Sequence, residues 1–200
     1  MMIHRIIGVV GLFENGQVVQ TVNFKSKNLV HANPWHAVKK FCSQGIDEIL
    51  ILDLSKNSIN PNLVETIISK ILKTCFIPVI YGGHVHDLSL VNNLFKLGID
   101  RILVNTELYK KNNILNQIIS KYGSQALLAG IDCDNFDLDS LCLNKNISDL
   151  SLKVKNQIDY LSSQKVTEIM FNSPKNDGKR EGYSINSATI NLIKYCEKKS

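Results

Sequence analysis

Short apolar segments recur along the chain, and each is followed by a polar turn and then by an amphipathic segment. This alternation predicts strands followed by helices, and the second to fifth strands start about 25 residues apart, the length of one βα unit. The predicted strands cover residues 5–10, 49–53, 77–81, 101–105, 127–132 and 169–172, and the predicted helices cover residues 35–44, 62–74, 87–97, 112–122, 150–163 and 187–198.

Turn and cap signals support these boundaries. Asn15-Gly16 is typical of a hairpin turn, so we expect the first strand to fold back onto Val18-Val19. Capping residues precede several predicted helices, and glycines follow several of them. These residues are Asn33, Asn60 and Asp87 at the starts, and Gly45, Gly98 and Gly123 at the ends.

The second predicted strand has no polar alternation, because it reads Ile49-Leu50-Ile51-Leu52. Such a run indicates a strand buried on both faces, as in a parallel sheet covered by helices. A doubly wound open sheet and a barrel both contain sheets of this kind. No G-x-G-x-x-G motif follows a predicted strand, which argues against a dinucleotide-binding doubly wound fold.

Composition favours one ordinary domain and excludes few functions. The 200 residues are 44% hydrophobic and 20% charged, and the lysines behind the net charge of +5 are dispersed. We therefore expect no nucleic-acid partner, and no apolar run approaches the roughly 20 residues of a membrane span. The start of the chain does not resemble a signal peptide. Five scattered cysteines without C-x-x-C spacing favour reduced thiols in the cytoplasm over disulfides or zinc.

Polar residues or glycines end most predicted strands, where barrel enzymes build their sites. Such residues also end strands for conformational reasons alone, but five such ends in succession favour a site. Gly82-Gly83 would let backbone amides approach a phosphate, and a glycine-containing loop follows the sixth strand at residues 176–183. The candidates are Asp53, Gly82, Gly83, Asn105, Asp132, Asn172, Asp177 and Gly178.

The starts of four predicted strands carry charges of alternating sign, at Arg5, Glu48, Arg101 and Glu168. Four residues separate Arg101 from Asn105, so both lie on one strand face, and the same spacing relates Glu168 to Asn172. If this face lines a barrel, two cations and two anions meet on its axis and neutralise one another. A surface set of ion pairs is the alternative. Because its spacing from Glu48 is odd, we expect Asp53 to belong to the following loop.

A series of short motifs supports the barrel. The motifs are Arg5-Ile6-Ile7, Asn15-Gly16-Gln17-Val18-Val19, Val22-Asn23-Phe24, Asp47-Glu48-Ile49, Leu52-Asp53, Ile77-Pro78-Val79, Gly82-Gly83, Tyr122-Gly123-Ser124-Gln125, Gly130-Ile131-Asp132, Asp177-Gly178 and Gly182-Tyr183. In this order they resemble the cyclase subunit of imidazole glycerol phosphate synthase. The resemblance implies an α/β fold, a (β/α)8 TIM-type barrel. We expect a single domain over residues 1–200 that is truncated after about six βα units and lacks the seventh and eighth.

The resemblance also implies a glutaminase partner in a heterodimer, whose ammonia crosses the barrel and reacts with a phosphorylated ribosyl or sugar substrate. Arg5, Glu48, Arg101 and Glu168 would form the ammonia gate, and Asp100 would contact the glutaminase. Phosphate contacts would come from Gly83, Asn105, Asp177 and Gly178. Asp132 would be the catalytic acid/base, and Asp53 would be the acidic residue ending strand two. No cofactor or metal is expected, since His84 and His86 lack a third ligand. Cys133 lacks an activating histidine, so we expect no nucleophilic role for it.

Two departures from the family pattern bear on function. The family has a second catalytic aspartate where this chain has Val10-Gly11-Leu12-Phe13, and acid–base help is worth about 10²–10⁴ in rate. The family's loop lysine is Gln20, and its third glycine is His84. A diverged branch associated with surface-polysaccharide genes also has an apolar residue in place of that aspartate, and it passes ammonia to a sugar-amidating enzyme. The second departure is length, because the seventh strand should begin where the sequence ends.

Three functions are therefore open. The first is an ammonia-channelling, cyclase-type subunit in surface-polysaccharide sugar amidation. The second is a histidine-biosynthesis cyclase, a carbon–nitrogen lyase that makes imidazole glycerol phosphate. The third is a non-catalytic barrel remnant whose strands one and six have open edges.

Overall fold

A computed structural model describes residues 5–23, 25–109, 113–132, 148–174, 176–179 and 187–198. Cys133, Cys142 and the end of the predicted loop at 180–183 lie outside this part of the chain. The described elements are β1 (Ile7–Leu12), β2 (Val18–Val22), β3 (Ser26–His31), α1 (Pro34–Ser43), β4 (Glu48–Asp53), α2 (Pro61–Leu72), β5 (Val79–Gly82), α3 (Leu88–Leu97), β6 (Arg101–Val104), α4 (Ile114–Tyr122), β7 (Leu127–Asp132), α5 (Ser148–Ser163), β8 (Ile169–Asn172) and α6 (Ser187–Glu197).

All eight strands form one sheet in the order β3-β2-β1-β4-β5-β6-β7-β8. From β1 to β8 through β4, β5, β6 and β7, every neighbouring pair is parallel, so the six predicted strands are consecutive parallel strands. The predicted hairpin pairs β2 antiparallel with Gly11 and Leu12 of β1. It continues into β3, a strand that the sequence pattern does not predict.

The sheet curves, because its first and sixth parallel strands meet at one end. Five strand spacings in a flat sheet would separate β1 from β8 by about 24 Å. Instead, the guanidinium of Arg5, just before β1, lies 2.9 Å from the carboxylate of Glu168, just before β8. The fold is therefore a partial (β/α)8 barrel, as the sequence predicts, with six βα units in the described chain.

Apolar side chains pack on both faces of the sheet. The larger core fills the space between the strands and the helices, where Ile51, Ile68 and Leu94 are fully buried. A smaller cluster on the inner face consists of Leu50, Ile80, Leu103 and Leu128. This two-sided burial explains why β4 has an unbroken apolar sequence.

Two of the three residues predicted to cap helix starts make the expected side-chain hydrogen bond. Asp87 accepts a hydrogen bond from the amide of Leu90 and Asn60 accepts one from Asn62, so both cap their helices as predicted. The side chain of Asn33 makes no such bond at the start of α1. In the described part of the chain, no helix combines the length and apolar character that crossing a membrane requires.

Candidate functional site

Four charged side chains meet at the amino ends of the parallel strands, which we call the bottom of the barrel. Arg5 contacts Glu48 at 2.7 Å and Glu168 at 2.9 Å. Arg101 contacts the same two carboxylates from the other side. Two arginines and two glutamates thus form a closed ring of alternating charge, which we call the charge quartet. The structure brings together all four residues that the sequence places at strand starts.

Each charge in the quartet has two partners of opposite sign, so the buried members are not left uncompensated. Glu48 is the most enclosed member, with 4% of its side chain exposed, whereas 49% of the Arg5 side chain reaches solvent. Burial alone would raise the pKa of Glu168, but hydrogen bonds and positive charge from Arg5 and Arg101 outweigh it and lower that pKa. A hydrogen bond from Arg5 to Glu168 and the nearby carboxylates raise the pKa of Arg5, so this guanidinium stays charged.

A second polar group lies at the carboxyl ends of the strands, which we call the mouth. Asp132 ends β7, and its Oδ1 accepts hydrogen bonds from Nδ2 of Asn105 at 2.9 Å and of Asn172 at 3.0 Å. These residues follow or end three neighbouring strands, β6, β7 and β8. The two amides hold the carboxylate in one orientation, and its Oδ2 has no described hydrogen bond from either asparagine. Such a fixed carboxylate can exchange a proton with a substrate.

Asp53 differs from expectation in its position. We predicted that it lies in the loop, but it is the last residue of β4 and pairs with Leu12 of β1. Its odd spacing from Glu48 places its side chain on the opposite face of the strand. There the buried carboxylate accepts hydrogen bonds from the amides of Ser55 at 2.9 Å and Ile59 at 3.0 Å. Both carboxylate oxygens of Asp53 therefore hold the loop before α2. The fold alone accounts for an aspartate at this position, with no need for a bound substrate.

Gly82 and Gly83 close the neighbouring strand β5. Gly82 lies on the inner face, where a Cβ would come within 2.9 Å of Leu103. Gly83 has a φ of 91° and packs against the backbone of Asp53. The group that this glycine approaches closely is therefore the protein backbone, whereas we expected a phosphate. The next residue, His84, places its Nε2 2.9 Å from the carbonyl oxygen of Ser55, which links the two loops.

Asp177 and Gly178 pack against the hairpin strand β2. The Asp177 carboxylate accepts a hydrogen bond from the Thr21 hydroxyl, and its carbonyl accepts one at 2.9 Å from the Asn23 amide. A Cβ at Gly178 would collide with the Thr21 carbonyl oxygen. Three of the predicted phosphate contacts therefore lie in two places. Asp177 and Gly178 pack against the hairpin, whereas Asn105 lies beside Asp132.

The end of β1, where the resemblance leads us to expect a second aspartate, reads Val10-Gly11-Leu12 and has no carboxylate. Gly11 pairs with Leu52 in β4 and with Val19 in β2, and a Cβ there would meet the side chain of Leu54. Among the described ends of the parallel strands, the Asp132 carboxylate therefore lies beside two asparagines with no second carboxylate contributed by β1.

The bottom rim includes one residue that sequence reasoning missed. Phe76, in the turn before β5, is 94% exposed, which is unusual for an aromatic side chain. Asp100 stands at the same end, before β6, and accepts a hydrogen bond from the amide of Val79 at 2.8 Å. The sequence gives no separate signal for Phe76, because it lies in the apolar run Cys75-Phe76-Ile77 that leads into β5, and only the fold shows that it projects from the rim. In the described part of the chain, no three histidine, cysteine or acidic side chains group as metal ligands.

Comparison with known proteins shows the family. A model described as histidine biosynthesis protein matches residues 5–199. The chain belongs to this family. It is 28% identical over 185 residues to a Pseudomonas aeruginosa protein provisionally named imidazole glycerol phosphate synthase subunit hisF2, covering 92% of this chain and 73% of that protein. Imidazole glycerol phosphate synthase subunit HisF of Campylobacter concisus is 26% identical over 179 residues, or 88% of this chain and 70% of that one.

A third relative, subunit HisF of Flavobacterium psychrophilum, is 27% identical over 190 residues, covering 92% of this chain and 73% of that protein. These comparisons confirm the predicted resemblance, and the chain is a HisF-type, cyclase-like barrel. Because these identities are only 26–28%, the role of each residue has to be argued from the geometry of the site in this chain.

Proposed function

We propose that the chain is the ammonia-accepting subunit of a glutamine-dependent amidotransferase that works with a separate glutaminase. The charge quartet carries this proposal. In the part of the chain that the structure describes, four charges at the bottom of the barrel pair with one another in a ring that has no net charge, and such a ring could act as a gate. A set of ion pairs needed only for surface stability would not require a glutamate with 4% of its side chain exposed.

The inner face between the bottom and the mouth suits a small neutral molecule. Leu50, Ile80, Leu103 and Leu128 line it above the charge quartet. Ammonia crosses an apolar lining more readily than ammonium does, because a charge without partners is costly to desolvate. Ammonia that passes the quartet would therefore arrive at the mouth beside Asp132.

We further propose that the acceptor is a phosphorylated sugar amidated by a separate enzyme in surface-polysaccharide synthesis. The absence of a carboxylate at the end of β1 supports this reading, because ring closure by paired acid–base catalysis lacks one member. The alternative is the histidine-pathway cyclase, which the Asp132 cluster favours. An assay with the ribosyl substrate and concentrated ammonium tests this alternative: turnover supports the cyclase and contradicts sugar amidation, and the absence of turnover excludes the cyclase.

Glutamine hydrolysis tests the proposed partnership. We expect the cognate glutaminase to release glutamate at least about tenfold faster with the chain present, since binding energy can assemble a catalytic site. Arg101→Met should change the factor by which the chain raises glutamate release, because the substitution removes both contacts that Arg101 makes in the quartet. Lys56→Met, an exposed lysine in the loop after β4 at the opposite end of the barrel, serves as the matched control. Equal glutamate release with and without the chain would contradict the proposal.

A further inference from the structure

Two thiols away from the quartet and the mouth lie in contact. Cys42 is in the last turn of α1, Cys75 follows α2, and their Sγ atoms are 3.6 Å apart. Both helices end at the bottom of the barrel. Both cysteines are free thiols in this structure. Neither residue belongs to the proposed ammonia path.

The arrangement suits a covalent bond between the two sulfur atoms. A disulfide has an S–S length of about 2.05 Å, so the sulfurs need to approach by roughly 1.5 Å. Cys75 lies in the turn beyond α2 and precedes the exposed Phe76. Its amide donates a hydrogen bond to the Ile71 carbonyl at 2.8 Å, so the sulfurs approach by rotation of the two side chains. We propose that Cys42 and Cys75 form a reversible intramolecular disulfide on exposure to a low-molecular-weight disulfide such as oxidised glutathione.

The two thiols differ in access, which sets the order of reaction. Cys42 is partly exposed, whereas Cys75 is buried. Burial raises the pKa of Cys75 to about 11, and the nearby charge of Asp100 adds to this shift. Cys75 is therefore protonated at neutral pH, and the oxidant meets Cys42 first.

The chemistry balances in two exchange steps. The Cys42 thiolate attacks one sulfur of oxidised glutathione, so a mixed disulfide forms and one glutathione thiolate leaves. Cys75 then loses its proton and attacks the Cys42 sulfur, which forms the protein disulfide and expels the second glutathione thiolate. Two protein thiols are oxidised, one glutathione disulfide is reduced, and each departing thiolate takes up a proton to give two glutathione molecules.

The crosslink should stabilise the fold. It joins residues 33 positions apart and so restricts the unfolded chain. We expect the oxidised protein to melt about 5–10 °C higher than the reduced protein. The bond would tie α1 to the turn that carries Phe76, so oxidation would fix part of the bottom rim. This site stands independently of the proposed glutaminase partnership.

Peptide mapping tests the proposal on the full chain. The folded protein is incubated with oxidised glutathione, its remaining thiols are blocked with N-ethylmaleimide, and trypsin digestion follows without reduction. We expect tryptic peptides 41–56 and 74–96 to be joined in one species that dithiothreitol separates. Blocked thiols in both peptides, glutathione remaining on Cys42, or a bond from Cys42 to any other cysteine would overturn the proposal.

Variants check the assignment against general thiol oxidation. Cys196→Ser, which changes a partly exposed thiol on α6, should keep both the crosslink and the rise in melting temperature. Cys42→Ser should lose both. Because the Cys42 side chain is partly buried against the core, the melting temperature of this variant is compared with and without oxidised glutathione. A rise in melting temperature that survives Cys42→Ser would also overturn the assignment.

Discussion

Gly83 shows how one residue joins two loops at the mouth. Its φ of 91° is in the left-handed region, and its α-carbon packs against the Asp53 backbone. Asp53 in turn holds the amides of Ser55 and Ile59, and His84 reaches the Ser55 carbonyl. These contacts make the ends of β4 and β5 a single unit. The glycine is therefore required by the fold whether or not phosphate binds there.

Substituting Gly83 should destabilise the protein more than its backbone angle alone predicts. Gly83→Ala adds a Cβ that collides with Asp53, and we expect a loss of about 3 kcal/mol or more in the free energy of unfolding. Gly45→Ala is the matched control, because Gly45 has a φ of 76° but no atom within 4 Å of an added Cβ. That change should cost only about 1 kcal/mol. Urea denaturation measures both, and equal losses would contradict the packing argument.

At the scale of elements, the sequence predicts well the strands that are continuous apolar runs, such as β4, β5 and β7, and the helices that are amphipathic. The six parallel strands and six helices were predicted within a few residues of their observed ends. Strand β3 was missed because nearly all its residues are exposed, so Ser26–His31 has no alternation of buried and exposed positions. Its place is fixed by pairing with β2, a tertiary contact that no local pattern encodes.

Helix caps give a matched test of the element boundaries. Asp87→Ala removes the bond from the Leu90 amide and should lower the free energy of unfolding by about 1 kcal/mol. Asn33→Ala removes a residue at the corresponding position of α1 that makes no side-chain cap bond, so its effect should be much smaller. Thermal or urea denaturation compares the two. A larger loss for Asn33→Ala would contradict the described helix starts.

On the scale of the whole molecule, the charge quartet joins elements distant in sequence. The alternating charges and the odd or even spacings predict which residues meet at the bottom. They could not predict that Asp53 would organise its own loop or that Asp177 would bond to Thr21, because those contacts depend on loop paths. The catalytic and phosphate-binding roles stay predictions.

Acidic pH should weaken the ion pairs that Glu168 makes in the quartet and so lower the stability of the fold. The folded-state pKa of Glu168 is lowered, so its ion pairs contribute full stability above its ordinary pKa of 4.5. That contribution is lost as the pH falls through the lowered value, because the folded state must then bind a proton. We expect the melting temperature to fall below pH 4.5, and less steeply in Glu168→Gln. Identical slopes in parent and variant would show that Glu168 does not contribute.

The proposed glutaminase partner would bind at the bottom of the barrel, and its binding to this chain tests that proposal most directly. Analytical ultracentrifugation or calorimetry would follow the parent chain, Phe76→Ser at the bottom and Leu29→Ser on β3, both exposed apolar positions. We predict a one-to-one complex that Phe76→Ser weakens at least about tenfold and Leu29→Ser leaves unchanged. No complex with the parent chain, or a loss caused by Leu29→Ser instead, would contradict the account.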